Sequence, residues 1–312
     1  MQIQGVTIVD TFAEAFRVWA GRLIVTALDD YWLRIAAQTV TGYGTSVIGC
    51  DAEAGVERYL SPDQTPDGRP GVELLFCGFK SQSLGKAMLN RTGQCLMTCP
   101  TTAVYDGLPG AVTGEDSDRI DLGKKLRYFG DGNQKSKVIA GRRFWRVPVM
   151  DGEFTCEETC GTVKAIGGGN FLICGKDQPS TLAAARRAVD AIAPLPGVIT
   201  PFPGGVVRSG SKVGSRYKGM FASTNDAFCP TLRSTAKKSE LPPGSSCVYE
   251  IVINGLSVQQ IAEATRLGIL AACDGGTNAG VVAISAGNYG GKLGKFHFKL
   301  HQIMSPTASP SS

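Results

Sequence analysis

Only two histidines, His297 and His301, stand in 312 residues, and both fall in one basic segment near the end of the sequence. A Ser-His-Asp or Cys-His machine would have to be built on one of these two, so acid–base work is expected from a carboxylate. Charge is also sparse. Asp, Glu, Lys and Arg make up 19% of the chain, and 32 basic against 27 acidic residues leave a formal net of +5. That excess is too thin and too dispersed for the concentrated basic surface that phosphate-backbone binding uses, which argues against nucleic acid as the main partner. No apolar run reaches the roughly 20 residues of a membrane span, and residues 1–10 lack the basic and apolar regions of a secretory leader, so the cytosol is the expected compartment and no membrane partner is expected. The C-x2-C pairs of zinc ribbons are missing too. Cys95 and Cys99, like Cys156 and Cys160, stand four apart with no histidine nearby, so no metal is expected, and the ten cysteines read as reduced, mostly buried thiols without disulfides.

What the chain has is apolar mass and glycine. At 43% hydrophobic it can build packed cores, and its length exceeds one typical domain, which predicts two lobes. Its 40 glycines follow no three-residue period, so they mark turns and loop-built sites rather than collagen.

The chain also repeats itself. The segment beginning at Gly71 (GVELLFCGFKSQSLGKAM) and the one beginning at Val248 (VYEIVINGLSVQQIAEAT) align at an offset of 177 residues, with Glu73 on Glu250, Gly78 on Gly255 and Ala87 on Ala264. Each reads as a strand, a glycine turn and an amphipathic helix, the second helix carrying Ile261, Ala264, Leu267 and Ala271. The first halves follow the same plan. Residues 22–27 form a strand, Asp29 or Asp30 caps a helix carrying Trp32, Ile35 and Ala36 that Gly42 closes, and 47–50 is the next strand. In the later copy 170–174 is the strand, Ser180 or Thr181 caps a helix through Ala184, Val189 and Ile192, prolines 194 and 196 stop it, and 198–200 opens another strand.

The expected fold is therefore α/β (α+β), two ferredoxin-like split β-α-β lobes related by internal repeat. The lobes are expected at 1–148 and 149–304, divided within 148–152. Residues 110–133 are expected as a surface excursion, and 305–312 (SPTASPSS) as a disordered tail.

Several stretches are more particular than fold punctuation: TFAEAF (11–16), PDGRPG (66–71), GQC (93–95), FGDG (129–132), GGNF (168–171), PFPGG (201–205), SKVGS (211–215), STNDAFCP (223–230), CVYEIVING (247–255) and SAGNYGGKLG (285–294). In this order and spacing, over nearly the whole length, the chain resembles the formylmethanofuran:tetrahydromethanopterin formyltransferase family. With its mild basicity, its cysteines and its Ser/Pro tail, it is most like the bacterial subunit of the formyltransferase/hydrolase complex of methylotrophs. The resemblance implies an acyltransferase of one-carbon metabolism, in formaldehyde oxidation. It moves a formyl group between N5 of tetrahydromethanopterin, or a dephospho form, and the amine of a methanofuran-type carrier. Both carriers are then substrates, and no cofactor is tightly bound. It further implies a homotetramer with sites near subunit contacts, and other subunits of such a complex as partners.

The residues themselves offer one position for that chemistry above others. Alternation along 247–255 puts Val248, Glu250, Val252 and Asn254 on one face, so a carboxylate sits in an apolar run. Transfer between two nitrogens passes through a tetrahedral oxyanion and needs a proton for the departing nitrogen, which a partly buried Glu supplies. The family's acid–base carboxylate falls on Glu250. The other reading is a hydrogen-bonded strand residue, and Glu73 fits that description. Asn225 and Asp226 are candidates to hold the pterin edge or polarise the formyl oxygen, or else make Asx turns. Lys212 and Lys292 are candidates for acidic groups of either carrier, or solvated lysines. Gly169, Asn170 and Gly290 are candidates for close approach to a flat ring, or for shaping hairpins. Two further readings stand beside the transferase. One is a nucleic-acid-binding module on paired ferredoxin-like lobes, which the aliphatic strands 72–77 and 248–253 disfavour. The other is an inactive scaffold subunit, against which stands the presence of Glu250.

Overall fold

The computed structural model describes residues 1–111 and 114–305. They fall into two compact units, one made of 18–165 and the other of 1–17 with 166–305. The long strands Phe12–Thr26 and Thr159–Gly175 each contribute residues to both.

The unit 18–165 is built on a β-α-β-β-α-β run: the later part of Phe12–Thr26, the helix Asp30–Thr41, the strands Glu53–Leu60 and Gly71–Gly78, the helix Ser81–Arg91 and the strand Ala103–Asp106. The first strand lies between the fourth and the third, and the second strand pairs only with the third, the split arrangement expected from the sequence. Leu23, Val25, Val72, Leu74 and Phe76 face the helices and pack on Leu33, Ala36, Ala37, Val40, Leu84 and Met88. A meander of Lys135–Ile139, Arg142–Val149 and Gly152–Glu157 extends the sheet, its last strand parallel to Ala103–Asp106. Residues 148–152, where the lobes were expected to divide, form the turn of this meander's second hairpin.

The other unit repeats the plan with Thr159–Gly175, the helix Gln178–Ile192, the short strand Val198–Ile199, the strand Cys247–Gly255, the helix Val258–Ala272 and the strand Val281–Ser285. Again the first strand sits between the fourth and the third, and the second pairs with the third. Val6–Ile8 adds a parallel edge beside Val281–Ser285, and Phe296–Lys299 pairs with residues 12–15. Phe171, Ile173, Ile251 and Ile253 meet Ala184, Ala188, Ile261 and Ala264. Leu74 and Ile251 therefore both face helices, and Glu73 and Glu250 both lie on the opposite face, one position earlier.

Four local expectations need correction. Residues 47–50 are a turn, and the strand starts at Glu53, whose carboxylate accepts from the Val47 N–H at 3.1 Å. Two apolar residues beside Gly49 carry no period, so strand and turn were indistinguishable there. The carboxy-terminal unit's first helix is capped by Asp177, which accepts from the Ser180 N–H at 2.8 Å, because Pro179 fits the first turn and moves the cap upstream. The first helix buries Leu33, Ala36, Ala37 and Val40, leaving Ile35 exposed. Within 110–133, of which 112 and 113 lie outside the described residues, the strand Ser117–Asp121 pairs with 159–163, and Ile120 and Leu122 are buried. The proposed tail lies outside the described residues from 306 onward. All ten cysteines are free thiols.

Candidate active site

Carboxylates that leave water need compensation, and nearly every buried one here has it. In the unit 18–165, Glu57 takes a fork of two 2.7 Å bonds from Arg22, and Glu73 takes the Arg58 Nε–H at 2.6 Å. Asp106 pairs with Arg119 at 2.7 Å, and Glu157 with Arg142. In the other unit, Glu14 accepts four backbone N–H groups. Glu250, which is half-buried, is different. Among the described residues no hydrogen bond or ion pair reaches its carboxylate, and burial alone pushes its pKa up to about 7. A carboxyl group whose pKa is raised toward neutrality, without a structural partner, is a candidate for acid–base chemistry.

The strand Cys247–Gly255 sets Glu250 on the helix-free face, directly opposite Leu172. On its other side its backbone pairs with Val207, through N–H to O distances of 2.8 and 3.1 Å. Gly210 follows closely: a Cβ there would stand 3.3 Å from Glu250 Oε2, so any side chain would press on the carboxylate. The Gly210 carbonyl accepts from the Asn225 N–H at 2.9 Å, and the hairpin of Ser211–Val213 with Ala222–Thr224 continues from there. The helical turn Asp226–Phe228 is anchored because Phe228 packs on Leu172, Cys174 and Ala283 of the same face.

The sequence candidates take distinct places around this centre. Asn225 lies beside Gly210 and so near Glu250. Lys212 and Asp226 reach each other at 2.7 Å, and the lysine's hydrogen bond holds the Asp226 pKa below the ordinary carboxylate range. Asn170 braces the loop 286–294, taking the Gly287 N–H at 2.6 Å and donating to the carbonyls of Gly168 and Gly287. Gly169 faces the helix layer, where a Cβ would meet Ile261 Cγ2 at 2.6 Å. Gly290 takes a φ of +73° with open space around it, and Lys292 is exposed two residues later.

Three residues that sequence reasoning left without a role complete the surroundings. The Tyr289 phenol lies in reach of the Glu250 charge and the Ser211 side chain, and burial raises its pKa. Glu14 holds the loop that carries Tyr289. A carboxylate alternating into the apolar TFAEAF strand was the available signal for Glu14, and it is the same signal that singled out Glu250. Nothing local marks Ser211 or Tyr289, because their meeting depends on two loops folding to one face. Among the described residues no group of three or more His, Cys, Asp or Glu side chains is placed to hold a metal ion.

The raised pKa of Glu250 has a thermodynamic counterpart. Between the ordinary value of 4.5 and about 7 the folded chain binds a proton that the unfolded chain has lost, so stability falls as pH rises through that window. Glu250→Gln carries no charge to bury. Its thermal midpoint should match the parent near pH 4 and exceed it near pH 8, with the gap opening across the window. A gap independent of pH would show that Glu250 is hydrated in the fold.

A carboxyl group of raised pKa on a half-covered apolar face, with amide, hydroxyl and phenol groups near it on a split β-α-β lobe, fits the class of acid–base group-transfer enzymes. Comparison with known proteins gives the family. The chain belongs to the formylmethanofuran-tetrahydromethanopterin formyltransferase family, whose model matches residues 1–149, and the model of its proximal lobe matches 152–303. It is 54% identical over 320 residues to the formylmethanofuran–tetrahydromethanopterin formyltransferase of Rhodopirellula baltica, covering 100% of this chain and 95% of that one. The solved structure of the Methanosarcina barkeri formyltransferase is similar with a TM-score of 0.90 at 50% identity, covering 97% of this chain and 100% of that one. A chain of the formyltransferase/hydrolase complex from Methylorubrum extorquens, solved with methylofuran, is similar with a TM-score of 0.92 at 49% identity, covering 98% and 99%.

Proposed function

We propose that this chain is an N-formyltransferase that moves a formyl group between N5 of tetrahydromethanopterin, or a dephospho form, and the amine of a methanofuran-type carrier. The observation that carries the chemistry is the uncompensated carboxyl of Glu250, and membership of the family supplies the carriers. The acceptor amine attacks the formyl carbon, the carbonyl π pair moves to oxygen, and the C–N bond to the donor breaks as the oxyanion collapses. The proton that the attacking nitrogen sheds passes to the departing nitrogen through Glu250, so the enzyme ends as it began. Asn225, whose side chain lies beside Gly210, donates to the formyl oxygen in this reading. The Lys212–Asp226 pair and Lys292 offer charges for polar ends of the carriers, and Asn170 with Gly290 shapes the loop alongside.

Both carriers come and go as substrates in this reading, with no tightly bound cofactor. The chain works in the cytosol as a homo-oligomer within a formyltransferase/hydrolase assembly of the kind the Methylorubrum extorquens structure is named for. The described part has no helix long and apolar enough to cross a membrane. A division at 148/149 is proposed as the ancestral joint between lobes, distinct from the packing units, and the matches ending at 149 and beginning at 152 support it.

The test is to incubate the purified protein with the formylated furan carrier and the tetrahydropterin and to follow the N5-formyl product. Product formation proportional to enzyme is expected. Its absence, both alone and with the partner subunits added, would leave the scaffold reading in its place.

A further inference from the structure

The loop 286–294 is shaped by one carboxylate. Glu14, 1% exposed, accepts from the N–H groups of Tyr289 at 2.7 Å and Gly291 at 2.8 Å on Oε2, and from those of Leu293 at 2.6 Å and Gly294 at 2.5 Å on Oε1. Burial pushes its pKa up, yet the four donors together leave it below the ordinary value, so it is ionised throughout the working range. The other ties of this loop point the same way. Asn288 donates to Thr11 Oγ1 and the Phe12 carbonyl, both at 3.2 Å, and Asn170 holds Gly287. All of these bonds fix backbone or turn groups. The Tyr289 ring lies 6.1 Å from that of Phe16, and its phenol interacts with the Ser211 side chain and feels the charge of Glu250.

We propose that Glu14 is a positioning residue for the transfer: by pinning the N–H groups of 289–294 it holds Tyr289 beside Glu250 and limits the access of water to that half-buried carboxyl. This rests on the reading of Glu250 as the acid–base group. The titratable and charged groups around Glu250 are few. Tyr289 comes from this loop with Glu14 behind it, Lys212 and Asp226 come from the hairpin and turn already paired to each other, and Tyr249 stands next to it on its own strand with Arg208 acting on Tyr249 from the paired segment. None makes an ion pair with Glu250, so exclusion of water is what the loop controls, and releasing the loop returns Glu250 toward ordinary carboxylate behaviour.

Glu14→Gln is the direct variant. Its single oxygen accepts where Oε1 or Oε2 did, but its NH2 then faces two N–H groups, and the loop lets go on that side. The expected result, in a protein with unchanged circular dichroism, is a kcat reduced about 10- to 100-fold. The pH limb of kcat/KM near 7 should move about one unit toward acid, and amide exchange in a peptide covering 289–294 should be faster. A merely structural role would lower the thermal midpoint and leave that limb in place. Tyr289→Ala and Tyr289→Phe serve as the second pair. The alanine uncovers Glu250 and should move the limb as Glu14→Gln does, while the phenylalanine keeps the ring and should leave the limb where it is.

A folded Glu14→Gln with the parent's limb overturns the proposal. If that variant does not fold, Tyr289→Ala with an unmoved limb overturns it equally. A parent enzyme with no limb near 7, or one whose turnover survives Glu250→Gln, sinks the reading of Glu250 instead.

Discussion

Replacing Glu250 with Gln should lower turnover by roughly 10²–10⁴ while leaving the binding of either carrier nearly as it was. Gln keeps the size of the side chain and one acceptor oxygen, and loses only the group that changes protonation. The charge matters where the proton moves, in the breakdown of the tetrahedral adduct, so the loss belongs in kcat. Glu73→Gln is the internal control. Glu73 occupies the equivalent place in the repeat, but it is tied to Arg58, which is half exposed and can turn to water once its partner is neutral. Its turnover should stay within about twofold of the parent, because Gln keeps an acceptor for the Arg58 guanidinium and the strand stays in place. Steady-state kinetics of the two variants decide the matter. Retained turnover in Glu250→Gln would move the work to neighbours such as Asn225, and equal loss in both would mean that the strands only support the fold.

The repeat was legible because it is written in short-range signals: an apolar strand, a glycine turn and a helical stripe, twice, at one offset. The two split β-α-β arrangements follow from it, and so does the face on which Glu250 lies, since alternation along a strand fixes the face once Ile251 and Ile253 are given to the helices. The surroundings of Glu250 were legible only as residue types. Segment 200–246 has little regular structure, and its course depends on long-range anchors such as the Val207–Glu250 backbone pairing and Phe228 seated on Leu172, Cys174 and Ala283. No local pattern announces such anchors. The same holds for the partners of Lys212 and Asp226. Both were singled out as possible ligand groups, and their mutual ion pair is visible only once hairpin and turn are folded together. Gly169 shows the converse, a residue in a loop-like motif that proves to sit where Ile261 fills the space of a side chain.

The largest loss of stability is expected at Asp106, in the unit 18–165. Its side chain is fully buried in the unit 18–165, where it takes the Arg119 guanidinium at 2.7 Å, the Leu108 N–H at 2.8 Å and the Gly161 N–H at 3.0 Å. Its own N–H goes to Glu157 Oε2 at 2.8 Å, and Glu157 is held in turn by Arg142. Asp106→Ala removes an acceptor for three donors at once. Arg119 is 27% exposed and regains some water, but the Gly161 N–H is buried and stays unpaired. Breaking a buried pair from one side costs about 3–5 kcal/mol, against the roughly 5–15 kcal/mol stability of a typical domain. Asp106→Asn keeps one acceptor oxygen and should lose less than half as much. Urea unfolding followed by fluorescence measures both, and a loss under about 1 kcal/mol for the alanine would show that water replaces the carboxylate. Turnover per folded molecule should be unchanged in either variant. In that unit Glu73 is spent on an ion pair with Arg58, whereas in the other unit no ion pair holds Glu250, and under the proposed function the same strand position in two copies of one motif serves stability in one and chemistry in the other.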